Sequence, residues 1–207
     1  MRRLPPRLLA LSPGDLAPAD VERFLVRAAR AIAAGLSGVL LREPALSDRV
    51  VLELALALRA RLGPGGWLAV HDRVHLAVAA GADAVQLGFR SLTPADARAV
   101  LPEHVAIGFS AHADDPIEPW CASDFLLLGP VFDTPSKAGV KAPLGLDGLA
   151  REVARAPRPV WALGGITAER ARAVIDAGAT GVAVRGALLG GDNPVMAVQS
   201  FLATLSL

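Results

Sequence analysis

The chain has no tyrosine, one cysteine and two lysines. The missing tyrosine removes phenol acid–base chemistry. The lone Cys121 cannot close an internal disulfide, and a single thiol without a secretory leader fits a reducing compartment, so a cytoplasmic location is expected. Long apolar runs are missing too: AVAAGADAVQL is broken by Gly and Asp well before the roughly 18 residues a membrane helix needs. The opening MRRLPPRLLALS is basic and apolar like a leader, but Pro5, Pro6 and the short LLAL run read better as a first strand. Charge of one sign is also lacking. A net charge of +1 with both signs interspersed argues against a nucleic-acid or anionic-membrane partner. Any anionic ligand must be small and met locally.

At 207 residues and 53% hydrophobic, the chain is long enough for one domain that buries roughly 70% of its unfolded surface. Short apolar runs alternate with segments of helical period. Residues 7–12 precede the helical pattern 19–35, and 38–43 precede 47–63. The unit recurs at 67–72 with 73–81, at 84–88 with 93–102, and at 105–112 with the irregular 114–123. It returns at 125–132 with 145–157, at 159–165 with 167–178, and at 181–189 with 193–207. About eight strand–helix units predict a single-domain (βα)8 TIM barrel over residues 1–207. An open doubly wound sheet alternates in the same way, but no GxGxxG follows the first strand. Thr93 and Thr167 are the expected N-caps, and Gly35, Gly81 and Gly178 the expected helix stops.

In a barrel, chemistry sits where strands end and their following loops begin. Strand seven ends in Gly164, Gly165 and Ile166 with a helix start behind them, and strand eight ends in Arg185 and Gly186. Unblocked N–H groups and the positive end of a helix dipole attract phosphate, so two such corners on adjacent strands point to a phosphate site; taken singly, each glycine fits a tight turn. Both lysines, Lys137 and Lys141, fall in the loop TPSKAGVKAP. Compact mobile charges among hydroxyls suit a loop that closes over phosphate oxygens, although Lys141 equally fits a solvated surface. Lys137, directly after Thr134 and Ser136, is expected at the barrel mouth. A Schiff-base role for it needs a desolvated pocket, which a hydroxyl-rich loop does not offer. His71 beside Asp72 is a candidate base, oriented and made more basic by the carboxylate; the alternative is a histidine bonded to its neighbours. Asp114 and Asp115 read as a helix start, and Trp67 and Trp161 as core.

Over residues 38–189 the chain resembles the thiamine phosphate synthase family, which includes the TenI-type thiazole tautomerases. LLGPVFDTPSK, IGFSAH, HDRVHLAVAAGADAVQLG, PVWALGGIT and AGATGVAVRGAL carry the likeness. The resemblance implies an enzyme that joins a pyrimidine diphosphate to a thiazole phosphate with Mg²⁺, releasing pyrophosphate and thiamine phosphate. It places Thr134, Ser136 and Lys137 on the pyrophosphate-binding PTxTK stretch, with Asp133 in place of its proline. Ser110 falls on the serine that faces the diphosphate, Arg42 on the arginine of QxRxK, and Asp72 on a magnesium ligand. Gly145, Gly165, Ile166, Arg185 and Gly186 fall where thiazole phosphate meets backbone amides.

Several positions depart from that pattern. Leu40 and Pro44 replace the glutamine and lysine of QxRxK, His71 replaces the asparagine before the metal aspartate, and GQED reads Gly88-Phe89-Arg90-Ser91. The second magnesium carboxylate is therefore missing, which leaves Asp72 alone as metal ligand. Pro130 stands where tautomerases carry a histidine. A synthase with Arg42, Asp72, Ser110, Lys137 and His71 as its catalytic set is the first expectation. A thiazole phosphate tautomerase and a binding protein that has lost turnover are the alternatives. Barrels of this size often pair, so a homodimer is the oligomer to look for.

Overall fold

The computed structural model describes residues 2–134 and 142–206. In chain order the elements are β1 (Leu8–Leu11), α1 (Val21–Ala33), β2 (Gly38–Leu41), α2 (Asp48–Leu62), β3 (Trp67–His71) and α3 (Val74–Ala79). They continue with β4 (Ala84–Leu87), α4 (Pro94–Val100), β5 (Ala106–Ala111), α5 (Glu118–Cys121) and β6 (Phe125–Leu128). The last are α6 (Gly145–Arg155), β7 (Val160–Leu163), α7 (Ala168–Asp176), β8 (Gly181–Arg185) and α8 (Pro194–Leu205). All eight strands are parallel and pair in sequence order, with β8 closing on β1. This is the closed (βα)8 barrel that the alternation predicts. Strands end sooner than the apolar runs do, so the polar residues after them belong to loops: β6 stops at Leu128 and β8 at Arg185.

Side chains alternate along a strand, so each strand contributes one set to the lumen and one to the helix layer. Leu9, Leu11, Leu40, Ala69, Leu127 and Ala183 belong to the inner set, while Leu8, Ala10, Val39, Leu68, Val70 and Val182 pack under the helices. The N-terminal end of the lumen is filled by Trp67, Phe125 and Trp161, whose rings meet edge to face at centroid distances of 5.8 and 5.7 Å. Each of these large rings has a glycine as its register partner: Gly38 opposite Trp67, Gly108 opposite Phe125, and Gly181 opposite Trp161. A Cβ at Gly108 would collide with the Phe125 ring, and one at Gly181 with the Trp161 indole. Pairing large with absent side chains fills the taper at the close-packed density of protein interiors.

The chain start runs beneath this layer. Trp67 Nε1 donates to Arg3 O (3.1 Å) and Trp161 Nε1 to Pro6 O (2.8 Å), so both indoles are satisfied inside the barrel. Arg3 reaches Asp83 (2.8 Å) and Arg2 reaches Asp124 (3.0 Å). Those aspartates also accept from Arg59 and Arg98 and from the N–H groups of Leu68 and Ile107. Helix ends follow local chemistry. Thr93 Oγ1 accepts from Asp96 N at 3.1 Å, and Gly35, Gly81 and Gly178 end helices with positive φ. Thr167 differs from its expectation: it makes no side-chain cap on α7. Asp115 likewise caps no helix; its carboxylate accepts from His112 N at 2.8 Å, and α5 begins only at Glu118.

Candidate active site

The C-terminal ends of the strands surround a cavity of about 450 Å³, within the range of small-molecule sites. Its floor is apolar, made by Leu11, Leu40, Leu127, Leu163 and Ala183. Above the floor on one side is a polar layer of three inward positions: His71 on β3, Gln86 on β4 and Ser110 on β5. His71 and Gln86 are register partners, and Gln86 Nε2 donates to Ser110 Oγ at 3.0 Å. Gln86 is 1% exposed, and its Oε1 has no protein partner among the described residues. That oxygen lies over Gly108, beside the Phe125 ring, and is sealed from the cavity, so the role of Gln86 at the wall is to hold Ser110. Gln86 was not singled out from the sequence. Parity alone would have found it, since it is the polar member of AVQL that shares the inward phase of Ala84.

His71 corrects the expectation that Asp72 raises its basicity. Burial, then Arg42, lowers its pKa from 6.5 to about 4, with Arg73 adding to the effect, and the opposing pull of Asp72 is outweighed. The ring makes no hydrogen bond to Asp72, so the side chain is a neutral donor–acceptor at working pH. Asp72 itself has φ 65°, a left-handed conformation that costs a non-glycine residue energy and recurs at functional turns. Its N–H donates to Gln86 O (2.9 Å), which ties the turn to β4.

Arg42 and Glu43 end β2 with opposite assignments. Glu43 is buried, and its two carboxylate oxygens accept from Gly14 N (2.8 Å) and Leu16 N (2.9 Å), so it builds the β1 loop. The Arg42 N–H donates to Ser12 Oγ (2.8 Å), and its guanidinium lines the cavity against Gly14. Arg73 is turned aside: it donates to Leu46 O at 2.7 Å and pairs with Asp48 at 3.4 Å. Ser91 Oγ accepts from Gly88 N at 2.9 Å and so closes its own loop. Asp72 is thus the one acid on the cavity wall whose carboxylate is not spent on backbone. Mg²⁺ takes oxygen ligands and is usually held by one or two carboxylates plus substrate phosphates. No group of three His, Cys, Asp or Glu side chains among the described residues could hold a metal. With Arg42 and Arg90 on the same wall, this donor set does not fit a protein-held magnesium ion.

The glycine corners lie on the opposite side. Val131 N donates to Leu163 O (2.9 Å) and Phe132 N to Gly164 O (3.0 Å), so the segment after β6 runs alongside the end of β7. Gly165 has φ 61°, and a Cβ there would sit 2.5 Å from Asp133 O. Arg170 donates to Gly165 O (3.0 Å) and stacks on Phe132 with its guanidinium carbon 4.6 Å from the ring centre. The peptide is thereby locked from its carbonyl side. The N–H groups of Gly165, Ile166 and Gly186 have no protein acceptor among the described residues. Arg185 is exposed beside Gly186 and lines the cavity. Gly145 departs from the role the resemblance implies: its N–H donates to Val131 O at 2.9 Å, so it seats α6 and has no amide to offer. Thr134 lines the cavity, whereas Ser136, Lys137 and Lys141 lie outside the described residues.

Fold and site together define the class: a parallel (βα)8 barrel with its polar groups gathered at the C-terminal mouth, the end at which barrel enzymes work. Within that class the chain belongs to the thiamine monophosphate synthase family, whose model matches residues 15–188. That family is named for a transferase of thiamine biosynthesis. The chain is 40% identical over 173 residues to a thiamine-phosphate synthase of Albidiferax ferrireducens, covering 82% of this chain and 78% of that protein. A thiamine-phosphate synthase of Gloeobacter violaceus is 40% identical over 179 residues, 85% of this chain and 52% of that longer protein. The solved thiamine phosphate pyrophosphorylase of Pyrococcus furiosus superposes with a TM-score of 0.81 at 26% identity, over 97% of this chain and 95% of that one. No described helix is long and apolar enough to cross a membrane.

Proposed function

We propose that the chain joins a pyrimidine diphosphate to a thiazole phosphate, releasing pyrophosphate and thiamine phosphate. One observation carries the reading: a single cavity has two separate ends suited to anions. Open N–H groups at Gly165 and Ile166 with Arg185, and Gly186 next to it in sequence, form one end at β7 and β8, and Arg42 and Ser110 on the β2–β5 side form the other, with Thr134 between them after β6. A binding protein for one phosphate needs only the first. In the reaction, the bond between the pyrimidine methylene carbon and the diphosphate oxygen breaks. The thiazole ring nitrogen supplies the electron pair for the new C–N bond, and the diphosphate leaves with the old one.

Arg42 stabilises charge on the leaving diphosphate, and Ser110, whose oxygen already accepts from Gln86, is left to donate to it. Ser136 and Lys137 belong to the same end as sequence expectations. Neutral His71 orients the uncharged ring between the two ends, and Gln86 holds Ser110 in place from below. The apolar floor excludes water, which would otherwise capture the activated carbon. Asp72 is the one carboxylate that could meet a magnesium ion carried in on the diphosphate, and no step is assigned to such an ion. The tautomerase reading has less support, because a histidine held at about 4 is a weak base at neutral pH. The reading also fits a cytoplasmic protein that meets only small phosphorylated partners, as a monomer or a pair.

The test incubates purified protein with both half-molecules and measures thiamine phosphate and pyrophosphate. Equal yields of the two are expected, and Arg42→Ala lowers kcat by about 10²–10³-fold, the usual effect of removing a group aimed at developing charge. Pyrophosphate released without thiamine phosphate, or neither product, rejects the reading.

A further inference from the structure

Three successive strand ends present alternating charge to one wall of the cavity: Arg42 after β2, Asp72 after β3 and Arg90 in the loop after β4. Ser91 stands where the family resemblance implies a second carboxylate, and its hydroxyl accepts from Gly88 N at 2.9 Å. The other acid on that wall, Glu43, is buried under two backbone N–H groups. Arg90 is exposed, lies 5.5 Å from the centre of the Phe89 ring and is paired with no carboxylate among the described residues. A dication placed near Asp72 would therefore share its wall with two guanidinium groups and a single free carboxylate, and like charges brought onto one wall repel even under solvent screening. A diphosphate placed there meets the reverse: two planar forks that donate in pairs to phosphate oxygens.

We infer that Arg42 and Arg90 neutralise the diphosphate in place of a protein-held divalent cation, so that this end of the site binds its anion without Mg²⁺. The inference rests on the function proposed above and adds a chain-specific means of charge compensation to it. Arg42 is fixed by its backbone bond to Ser12 and by packing on Gly14, whereas Arg90 stands in an open loop and supplies the adjustable half.

Calorimetric titration of the intact protein with inorganic pyrophosphate, in EDTA and in Mg²⁺, tests it. Affinity in EDTA is expected to equal or exceed that in Mg²⁺. Arg90→Ala is expected to weaken binding by about tenfold and Arg90→Lys by less, since lysine keeps the charge and loses the fork. The double change Arg90→Glu with Ser91→Asp restores two carboxylates and is expected to make binding depend on Mg²⁺. Pyrophosphate binding that appears only with Mg²⁺ in the unaltered protein, or is indifferent to Arg90→Ala, overturns the inference and leaves the proposed reaction standing. Metal-free pyrophosphate binding with no thiamine phosphate formed from the half-molecules supports the inference and rejects the reaction. Binding in neither condition overturns both.

Discussion

At the N-terminal end of the barrel, Trp67, Phe125 and Trp161 fill the lumen and both indole N–H groups reach main-chain carbonyls. Four residues further along β3, and above the small-residue layer on its neighbours, His71, Gln86 and Ser110 line a cavity with open N–H groups around it. The same inward phase of the same strands produces both ends. What separates them is whether polar atoms are satisfied inside the protein. Below, Asp83 and Asp124 each gather two arginines and a strand N–H, so little is left to bind anything else. Above, Gly165 and Ile166 keep their donors because Arg170 and the pairing of the segment after β6 with β7 hold that corner from behind, and Gly186 keeps its own after β8. Stability is concentrated at one end and binding capacity at the other.

The strongest challenge to that division is Trp161→Ala. Removing a buried aromatic that packs on Phe125 should cost about 3–5 kcal/mol in urea unfolding, while the phosphate affinity of the molecules that remain folded stays within about twofold. If affinity collapses as well, the two ends are coupled and the division fails. At the mouth, Gly186→Ala places a methyl where no protein atom lies within 4 Å and where φ is 83°. Inorganic phosphate should bind about tenfold more weakly, or ~1.4 kcal/mol, with at most about 1 kcal/mol lost in stability from the strained backbone. An unchanged phosphate affinity would make that corner structural only.

The smallest effect depends on pH and blurs the line between the ends. The folded protein holds His71 near 4, below its ordinary 6.5, so between these values the unfolded chain binds more protons. Stability from this group is full above about pH 6.5, falls as the solution is acidified and is spent below about pH 4. On the order of 1 kcal/mol is expected to go between pH 7 and pH 5.5, and His71→Asn should remove that share of the slope in denaturant midpoints. A slope that survives the substitution would assign the acid sensitivity elsewhere.

The barrel was legible because its two periods are clean: apolar runs with the composition of buried parallel strands, then helical stretches stopped by Gly35, Gly81 and Gly178. The glycine corners and Arg42 were legible for the same reason, since strand ends locate them. Partner choice was not. Glu43 and Arg42 are neighbours in sequence, yet one turns under the β1 loop and the other into the cavity, a difference set by Gly14 and Leu16 nearly thirty residues earlier. The amide of Gly145 is taken by Val131 across a loop, and burial outweighs the adjacent Asp72 at His71. Gln86 was hidden by its apolar neighbours, although its place in the alternation marks it.

The seam between β8 and β1 has a consequence for how this molecule is made. Arg7 O accepts from Val182 N at 2.7 Å and the Arg7 guanidinium donates to Leu205 O at 2.8 Å, so the first and last units of the barrel are stitched to each other. Until β8 has followed the other seven strands out of the ribosome, the barrel is an open sheet whose first strand waits with an unpaired edge, the kind of edge that recruits other chains. Slow translation over the final units should therefore raise aggregation during expression more than slow translation over the first ones.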